Sequence, residues 1–207
     1  MPVHKPDPAK TLFFLCDVQT RFRNAIHGFD QVATTANKLL KVASILGCGV
    51  VATTQNAKAL GPIVPEIDLE GLGSLHLGTF DKTLFSMFVP EVKAILASRP
   101  EVDAIVLFGI ESHVCVLQTA LSLLDPSSAP AYTVYIPADG VSSCNKTEVP
   151  IALARLREAG AIITTSESIA FQLVSDSARP EFKAFSTLIK ESKDSTKAAG
   201  EALLSHL

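Results

Sequence analysis

The sequence predicts a single doubly wound, Rossmann-like α/β domain, with a mostly parallel sheet and helices on both of its faces. Short apolar runs alternate along the chain with segments whose apolar residues recur at helical spacing, which is typical of a parallel sheet covered by helices. The chain has 207 residues, of which 47% are hydrophobic and 19% are charged. That length suffices for one sizeable core and is short for two ordinary domains.

The first half of the chain predicts two strands joined by a helix. The first strand covers residues 11–18, a run that stays apolar until an acid appears near its end. A helix follows and ends at Gly47 or Gly49, since glycine commonly terminates helices. The second strand covers residues 50–54. Residues 55–85 hold four of the eleven glycines and are predicted to be a long loop, which in a compact domain is usually functional or partly structured.

The second half continues the alternation of helices and strands. A helix is predicted to begin near Pro90, because proline suits the first turn of a helix. The elements predicted after it are a strand at 104–108, a helix from about 114, a strand at 132–136, a helix at 148–159, a strand at 161–164 and short helices at 168–173 and 180–190. Residues 1–190 thus form the predicted domain. Residues 191–207 are expected to be a polar C-terminal tail, because they open on the sequence ESKDSTK.

Composition and charge argue against several classes of protein. The net charge is −3, and no basic stripe suits a phosphate backbone, so we expect no nucleic-acid partner. The four cysteines are far apart without C-x-x-C spacing, which favours free thiols in a reducing compartment. No apolar signal region or membrane-span length is present, so a soluble, intracellular protein without a membrane partner is predicted. The thinly charged surface fits a homo-oligomer, a dimer or a tetramer.

Three reactive residues are predicted to meet at one edge of the sheet. Ligands of such sheets bind beyond the carboxyl ends of the strands, which is where we expect Asp17, Lys82 in the long loop and Cys115 to lie. A helix start and a nearby lysine favour a thiolate, and a carboxylate can accept the thiol proton and later activate water. From residue type alone, however, Cys115 is more simply a buried core thiol.

Four segments, taken in order, point to a family. They are Leu15–Phe22 (LCDVQTRF), Gly78–Ser86 (GTFDKTLFS), Gly109–Val116 (GIESHVCV) and Pro137–Ser143 (PADGVSS). With these segments the sequence resembles the isochorismatase-like cysteine hydrolase superfamily, which includes nicotinamidases and N-carbamoylsarcosine amidases. It is most similar to the small isochorismatase domain-containing proteins of unknown substrate. The resemblance runs over roughly residues 11–175.

The resemblance implies a catalytic triad and a reaction. In it, Asp17 is the general base, Lys82 the electrostatic partner and Cys115 the nucleophile that forms a thioester with a small amide, carbamoyl or related carbonyl substrate. It further implies a cis peptide bond between Ile110 and Glu111, and an oxyanion hole made by the N–H groups of Glu111 and Cys115. The residues implied in substrate binding or the oxyanion hole are Gln19, Phe22, Gln55, Ile110, Glu111, His113 and Val114.

Two departures from family patterns narrow these expectations. Nicotinamidases carry an Asp/His metal cluster after the second strand, whereas residues 53–61 (TTQNAKALG) hold no histidine or acid. The resemblance therefore implies no metal and no other cofactor. Isochorismatases proper lack the cysteine, so Cys115 argues against cleavage of a vinyl ether. The alternative function is a catalytically silent scaffold that binds a small molecule or a protein.

Two further residue patterns bear on metal binding and on the location of the protein. Glu111-x-His113-x-Cys115 matches no familiar zinc spacing, and His113 is interpreted as a pocket-rim or interface residue. The chain ends in Ser205-His206-Leu207, a variant of the S-K-L peroxisomal address, although three-residue matches also arise by chance. The predicted location is therefore the cytoplasm or a peroxisome-type organelle.

Overall fold

Seven parallel strands form one sheet in the computed structural model, which describes residues 4–128 and 132–205. The strands are β1 (Thr11–Cys16), β2 (Gly49–Gln55), β3 (His76–Lys82), β4 (Ala104–Ile110), β5 (Thr133–Pro137), β6 (Val141–Ser142) and β7 (Ile162–Thr164). Their order is β3-β2-β1-β4-β5-β7, and β6 pairs with the end of β4. Parallel neighbours need crossover connections, which the helices supply. The predicted doubly wound α/β fold is confirmed.

Eight α-helices surround the sheet in the part of the chain that the structure describes. They are α1 (Phe29–Leu46), α2 (Ala57–Leu60), α3 (Pro90–Ala97), α4 (Leu117–Leu124), α5 (Glu148–Glu158), α6 (Ser166–Val174), α7 (Phe182–Glu191) and α8 (Lys193–Leu203). Gly47 ends α1 in the left-handed conformation, with φ +72°, as glycine often does. Within the described ranges, none of the helices has both the length and the hydrophobicity needed to cross a bilayer.

The central strands are buried on both faces, which explains their continuous apolar runs. Along β1, Phe13 and Leu15 pack toward α1, α6, α7 and α8. The alternate residues Leu12, Phe14 and Cys16 pack on the other face, toward α3, α4 and α5. Because side chains of a strand alternate between faces, each face of the sheet has its own core.

The segment predicted as a long loop contains regular structure. Residues 55–85 include α2, a 3₁₀ turn and the edge strand β3. Lys82 is therefore the last residue of a strand and not a loop residue, which corrects the prediction. The reason is that β3 (HLGTFDK) is largely half-exposed, with Lys82 alone fully inside, so it lacks the apolar run that revealed the central strands.

The expected polar tail is also wrong for most of its length. Within residues 191–207, α8 lies against α1, with Ala199 and Leu203 buried in the core. The Nζ atom of Lys38 donates to Oγ1 of Thr196 at 2.8 Å. Residues four apart lie on the same face of a helix, so two apolar positions suffice to attach an otherwise polar segment.

The predicted peroxisomal address lies mostly beyond what the structure describes. Ser205 follows the end of α8 as the last described residue, and His206 and Leu207 lie outside the described residues. The address therefore stays a prediction.

One glycine brings β1 and β4 close together where the site is expected. Gly109 of β4 pairs with Cys16 of β1 and has φ +119°. A Cβ atom at this position would lie 2.1 Å from the carbonyl oxygen of Cys16. Only glycine permits this approach, which places the end of β1 beside the turn that follows β4.

Replacing Gly109 with alanine should lower the free energy of unfolding by about 3 kcal/mol or more, since the change adds both backbone strain and a steric clash. Gly200→Ala is the matched control. Nothing lies within 4 Å of the Cβ that it adds in α8, so it should leave stability unchanged or raise it by up to about 1 kcal/mol. Urea unfolding followed by circular dichroism measures both, and equal stabilities would contradict this description of Gly109.

Candidate active site

Asp17 is the first of the predicted site residues in chain order and directly follows β1. It is 1% exposed and has φ +51°, a left-handed conformation that aspartate tolerates better than most residues. Its N–H donates to the carbonyl of Thr53 at 3.2 Å. The Thr53 hydroxyl in turn donates to Oδ1 of Asp17 at 2.7 Å. The neighbouring strand β2 thus fixes the carboxylate at the carboxyl edge of the sheet.

Lys82 contributes a fully buried ammonium group to the same place. Its Nζ atom donates to Oδ2 of Asp17 at 2.7 Å, Oε1 of Gln55 at 2.8 Å, the carbonyl of Leu84 at 3.2 Å and the carbonyl of Phe85 at 3.0 Å. A buried charge is tolerable only when it is paired and hydrogen-bonded. Both conditions hold here.

Cys115 lies in a single π-helical turn, Ser112–Val116, between β4 and α4. The N–H groups of Val114 and Val116 each donate to the carbonyl of Glu111 at 3.1 Å. The regular helix begins only at Leu117, so Cys115 precedes the helix that was predicted to open on it. Turns of this kind are frequent at functional sites. The residue is 6% exposed, which restricts access to small reagents.

Cys16 connects the aspartate and the cysteine. Its sulfur donates to Oδ2 of Asp17 at 3.6 Å. Burial, a side-chain hydrogen bond to Cys115 and the charge of Asp17 together raise the pKa of Cys16 well above its ordinary value. Burial acts to lower the pKa of Lys82, but the acidic groups of Cys16, Asp17 and Cys115 outweigh it and the pKa is raised. A carboxylate, a charged lysine and two thiols are therefore packed together.

The two glutamines of the predicted site make different contacts. The Nε2 atom of Gln19 donates to the carbonyls of Gln55 and Gly61, at 3.1 and 2.6 Å, and its Oε1 accepts from the N–H of Gln55 at 2.7 Å. Gln19 thus uses its amide to hold the chain after β2. Gln55 accepts from Lys82 and donates to the carbonyl of Thr83 at 2.9 Å, so it extends the hydrogen bonds around the ammonium.

The apolar residues of the predicted site are divided between the two cores. Phe22 packs half-buried against the core on the α1 side, where Ile110 is also buried. Val114 packs against the opposite core together with Cys115. The peptide bond between Ile110 and Glu111 is cis. The structure therefore places Val114 with Cys115 and keeps Phe22 on the other face of the sheet.

Glu111 and His113 form a second polar cluster with Cys144. The N–H of Cys144 donates to Oε2 of Glu111 at 2.7 Å, and Nδ1 of His113 lies 2.9 Å from the Ser143 hydroxyl. A side-chain hydrogen bond to Glu111 raises the pKa of Cys144. One ligand atom from each of Glu111, His113 and Cys144 lies within 4.8 Å of the others, so these three residues are able to hold a metal ion.

Several contacts at the site were not predicted from the sequence. The sequence patterns gave no role to Thr53, to Cys16 or to the carbonyls of Leu84 and Phe85. Cys16 is buried and donates to Asp17. The available signal was positional, since Thr53 lies near the end of β2 and the carboxyl ends of neighbouring parallel strands meet at one edge.

Comparison with known proteins identifies relatives along most of the chain. The model of the isochorismatase domain family matches residues 11–168. Isochorismatase domain-containing protein 1 of Salmo salar is 45% identical over 185 residues, 89% of this chain, which spans only 62% of that protein. Isochorismatase domain-containing protein 2 of Homo sapiens is 42% identical over 184 residues, covering 89% of this chain and 85% of that protein.

A solved structure shows the same similarity. The structure of MAR1 ribonuclease from Caenorhabditis elegans superposes with a TM-score of 0.80 at 36% sequence identity, covering 90% of this chain and 93% of that chain. The relatives thus share both the fold and a substantial part of the sequence.

Proposed function

The chain belongs to the isochorismatase family, and from that premise we propose that it is a cysteine hydrolase that cleaves a small amide, carbamoyl or related carbonyl compound through a thioester at Cys115. The observation that supports the proposal is the buried contact among Asp17, Lys82, Cys16 and Cys115 at the carboxyl edge of the sheet. Burying a carboxylate, an ammonium group and two thiols together is costly even when the charges are paired, and ionisable groups gathered in this way favour a functional role.

The proposed reaction needs only groups of this chain and water. Asp17 accepts the thiol proton of Cys115 while the sulfur attacks the carbonyl carbon, and the tetrahedral oxyanion is held by the N–H groups of Glu111 and Cys115. The C–N bond then breaks, and the amine leaves with the proton from Asp17. Water then attacks the thioester carbonyl, and Asp17 accepts a proton from that water. The C–S bond breaks, the acid is released, and the sulfur of Cys115 takes the proton back from Asp17.

Lys82 acts by its charge in this proposal. Its ammonium contacts Asp17 directly and interacts electrostatically with Cys115. A positive charge held in a buried position stabilises negative charge on either group without reorganisation during the reaction. Gln55 and the carbonyls of Leu84 and Phe85 position that charge.

The low exposure of Cys115 and the net charge of the chain both favour a small substrate. The low exposure of Cys115 suits a compact acyl group. One relative is named a ribonuclease, but the net charge of −3 does not favour binding of a phosphate backbone. The homo-oligomer and the location of the protein stay predictions; the exposed side chains of Leu84, Phe85, Ile151 and Phe171 suit burial in such an assembly.

Alkylation by iodoacetamide at neutral pH, read for each cysteine by mass spectrometry with a chelator present, tests the proposal. Cys115 should label fastest, because thiolate character and access decide the rate. Cys144 is exposed but should label more slowly, since its hydrogen bond to Glu111 raises its pKa. Cys16 and Cys48 should stay unlabelled in the folded protein: burial keeps the pKa of Cys16 far above neutrality and raises that of Cys48 to about 12.

The denatured protein serves as the control, in which all four cysteines should label at similar rates. Slower labelling of Cys115 than of Cys144 in the folded protein would favour the catalytically silent scaffold over the hydrolase.

A further inference from the structure

A carboxylate, an imidazole and a thiol converge beside the proposed active site. Glu111 and His113 come from the turn after β4, and Cys144 follows β6, so two separate chain segments supply them. The three ligand atoms lie within 4.8 Å of one another, with Glu111 and His113 half-buried and Cys144 exposed. The cluster differs from Glu111-x-His113-x-Cys115, the pattern considered in the sequence, because Cys144 and not Cys115 completes it.

We propose that Glu111, His113 and Cys144 form a binding site for a divalent transition metal of the Zn²⁺ type. Thiolate, imidazole and carboxylate are the ligands that zinc prefers, and a thiolate selects it over Mg²⁺ or Ca²⁺. Tetrahedral ligands at zinc distances lie roughly 3.3–3.8 Å from one another. Metal binding would draw the three atoms from separations of up to 4.8 Å to that spacing, and Cys144 is the exposed member of the three.

Hydrogen bonds hold two of the ligands in place. Nδ1 of His113 lies 2.9 Å from the Ser143 hydroxyl, and a metal-bound histidine usually makes such a hydrogen bond through the ring nitrogen that does not hold the ion. On that pattern, Nε2 is the nitrogen that would bind the metal. Glu111 is fixed by the N–H of Cys144 through Oε2. Three protein ligands leave one position of a tetrahedral ion for water or another small ligand. On binding, the Cys144 thiol loses its proton to solvent and becomes the thiolate ligand.

This site is separate from the proposed nucleophile. None of its three side chains belongs to the Asp17–Lys82–Cys115 group, and metal binding does not require Cys115 to be reactive. Since Glu111 and His113 lie in the turn that carries Cys115, a bound ion would fasten this turn to the chain after β6.

Cobalt spectroscopy on the full chain tests the proposal. The protein is first stripped with a chelator and then titrated with Co²⁺, and separately with Zn²⁺ by calorimetry. We expect one equivalent to bind, with a thiolate-to-cobalt charge-transfer band. Cys144→Ser should abolish the band and weaken Zn²⁺ binding at least about tenfold, and His113→Asn should weaken Zn²⁺ binding similarly. Circular dichroism checks that both variants fold.

Cys115→Ser is the matched control, because it removes the thiol carried by the same turn as Glu111 and His113. It should keep the cobalt band and the Zn²⁺ affinity. Loss of the band in Cys115→Ser would overturn the proposal, because the ion would then sit on the nucleophile. Retention of the band in Cys144→Ser, or no saturable binding of either metal, would overturn it as well. The alkylation of Cys115 is measured separately, so failure of the metal site and failure of the hydrolase are distinguishable.

Discussion

Replacing Cys115 with alanine is expected to reduce the hydrolysis of small amide, carbamoyl and activated ester substrates by at least about 1,000-fold, because removal of a covalent nucleophile leaves only binding and oxyanion stabilisation. The rate is measured across a substrate panel by release of amine, ammonia or nitrophenol. With the original protein, hydroxylamine added during turnover should convert the thioester into a hydroxamate.

Cys48→Ala is the control for this experiment. Cys48 is also a buried free thiol, but it packs in the core on the opposite face of the sheet from Cys115 and donates to the carbonyl of Pro8. Cys48→Ala should change the rate of hydrolysis by less than about twofold, since a substitution far from the site acts independently of it. Full activity in Cys115→Ala would contradict the proposed mechanism, and a panel on which the original protein is inactive would favour the scaffold.

Replacing Lys82 with methionine should lower the free energy of unfolding by about 3–5 kcal/mol, because it leaves the buried Asp17 carboxylate without its ion-pair partner. Urea unfolding at neutral pH measures the change. Adding Asp17→Asn to Lys82→Met should cost less than the sum of the two single changes, since the second substitution removes the unpaired charge. Lys58→Met, at an exposed position of α2, is the control and should change stability by less than about 0.5 kcal/mol.

The contribution of this ion pair should persist to high pH. The pKa of Lys82 is raised above its ordinary value of 10.5, because its acidic neighbours outweigh burial. A group with a raised pKa in the folded state stabilises that state below its unfolded pKa, and the contribution disappears as the pH rises through the folded value. The stability difference between the original protein and Lys82→Met should therefore hold through the neutral range and shrink only above about 10.5. A difference below about 1 kcal/mol at neutral pH would contradict the description of a buried charged pair.

The fold was predictable wherever burial dictates the residue types. Strands β1 and β4 lie at the centre of the sheet with both faces covered, so Phe13, Phe14 and Phe108 appear as parts of unbroken apolar runs. The positions of Asp17 and Cys115 followed from the same logic, because polar or reactive residues directly after such strands must lie at the carboxyl edge.

The rest depends on contacts between distant segments. Strand β3 is an edge strand whose exposed positions accept polar residues, and Ala199 and Leu203 are the two residues of α8 that are buried in the core. The cluster of Glu111, His113 and Cys144 has no spacing signature, since β6 must pair with β4 before its members meet. Contacts between segments far apart in the sequence leave no local periodic pattern from which they could be predicted.

The ammonium of Lys82 donates to the main-chain oxygens of Leu84 and Phe85, and this affects which amino acids evolution can accept at the two positions. A carbonyl acceptor is present whatever side chain its residue carries. The side chains at these two positions are 60% and 49% exposed and make no contribution to that hydrogen bonding. Both side chains can therefore be substituted during evolution, which changes the surface that they form. The buried ammonium of Lys82 keeps the same two carbonyl acceptors.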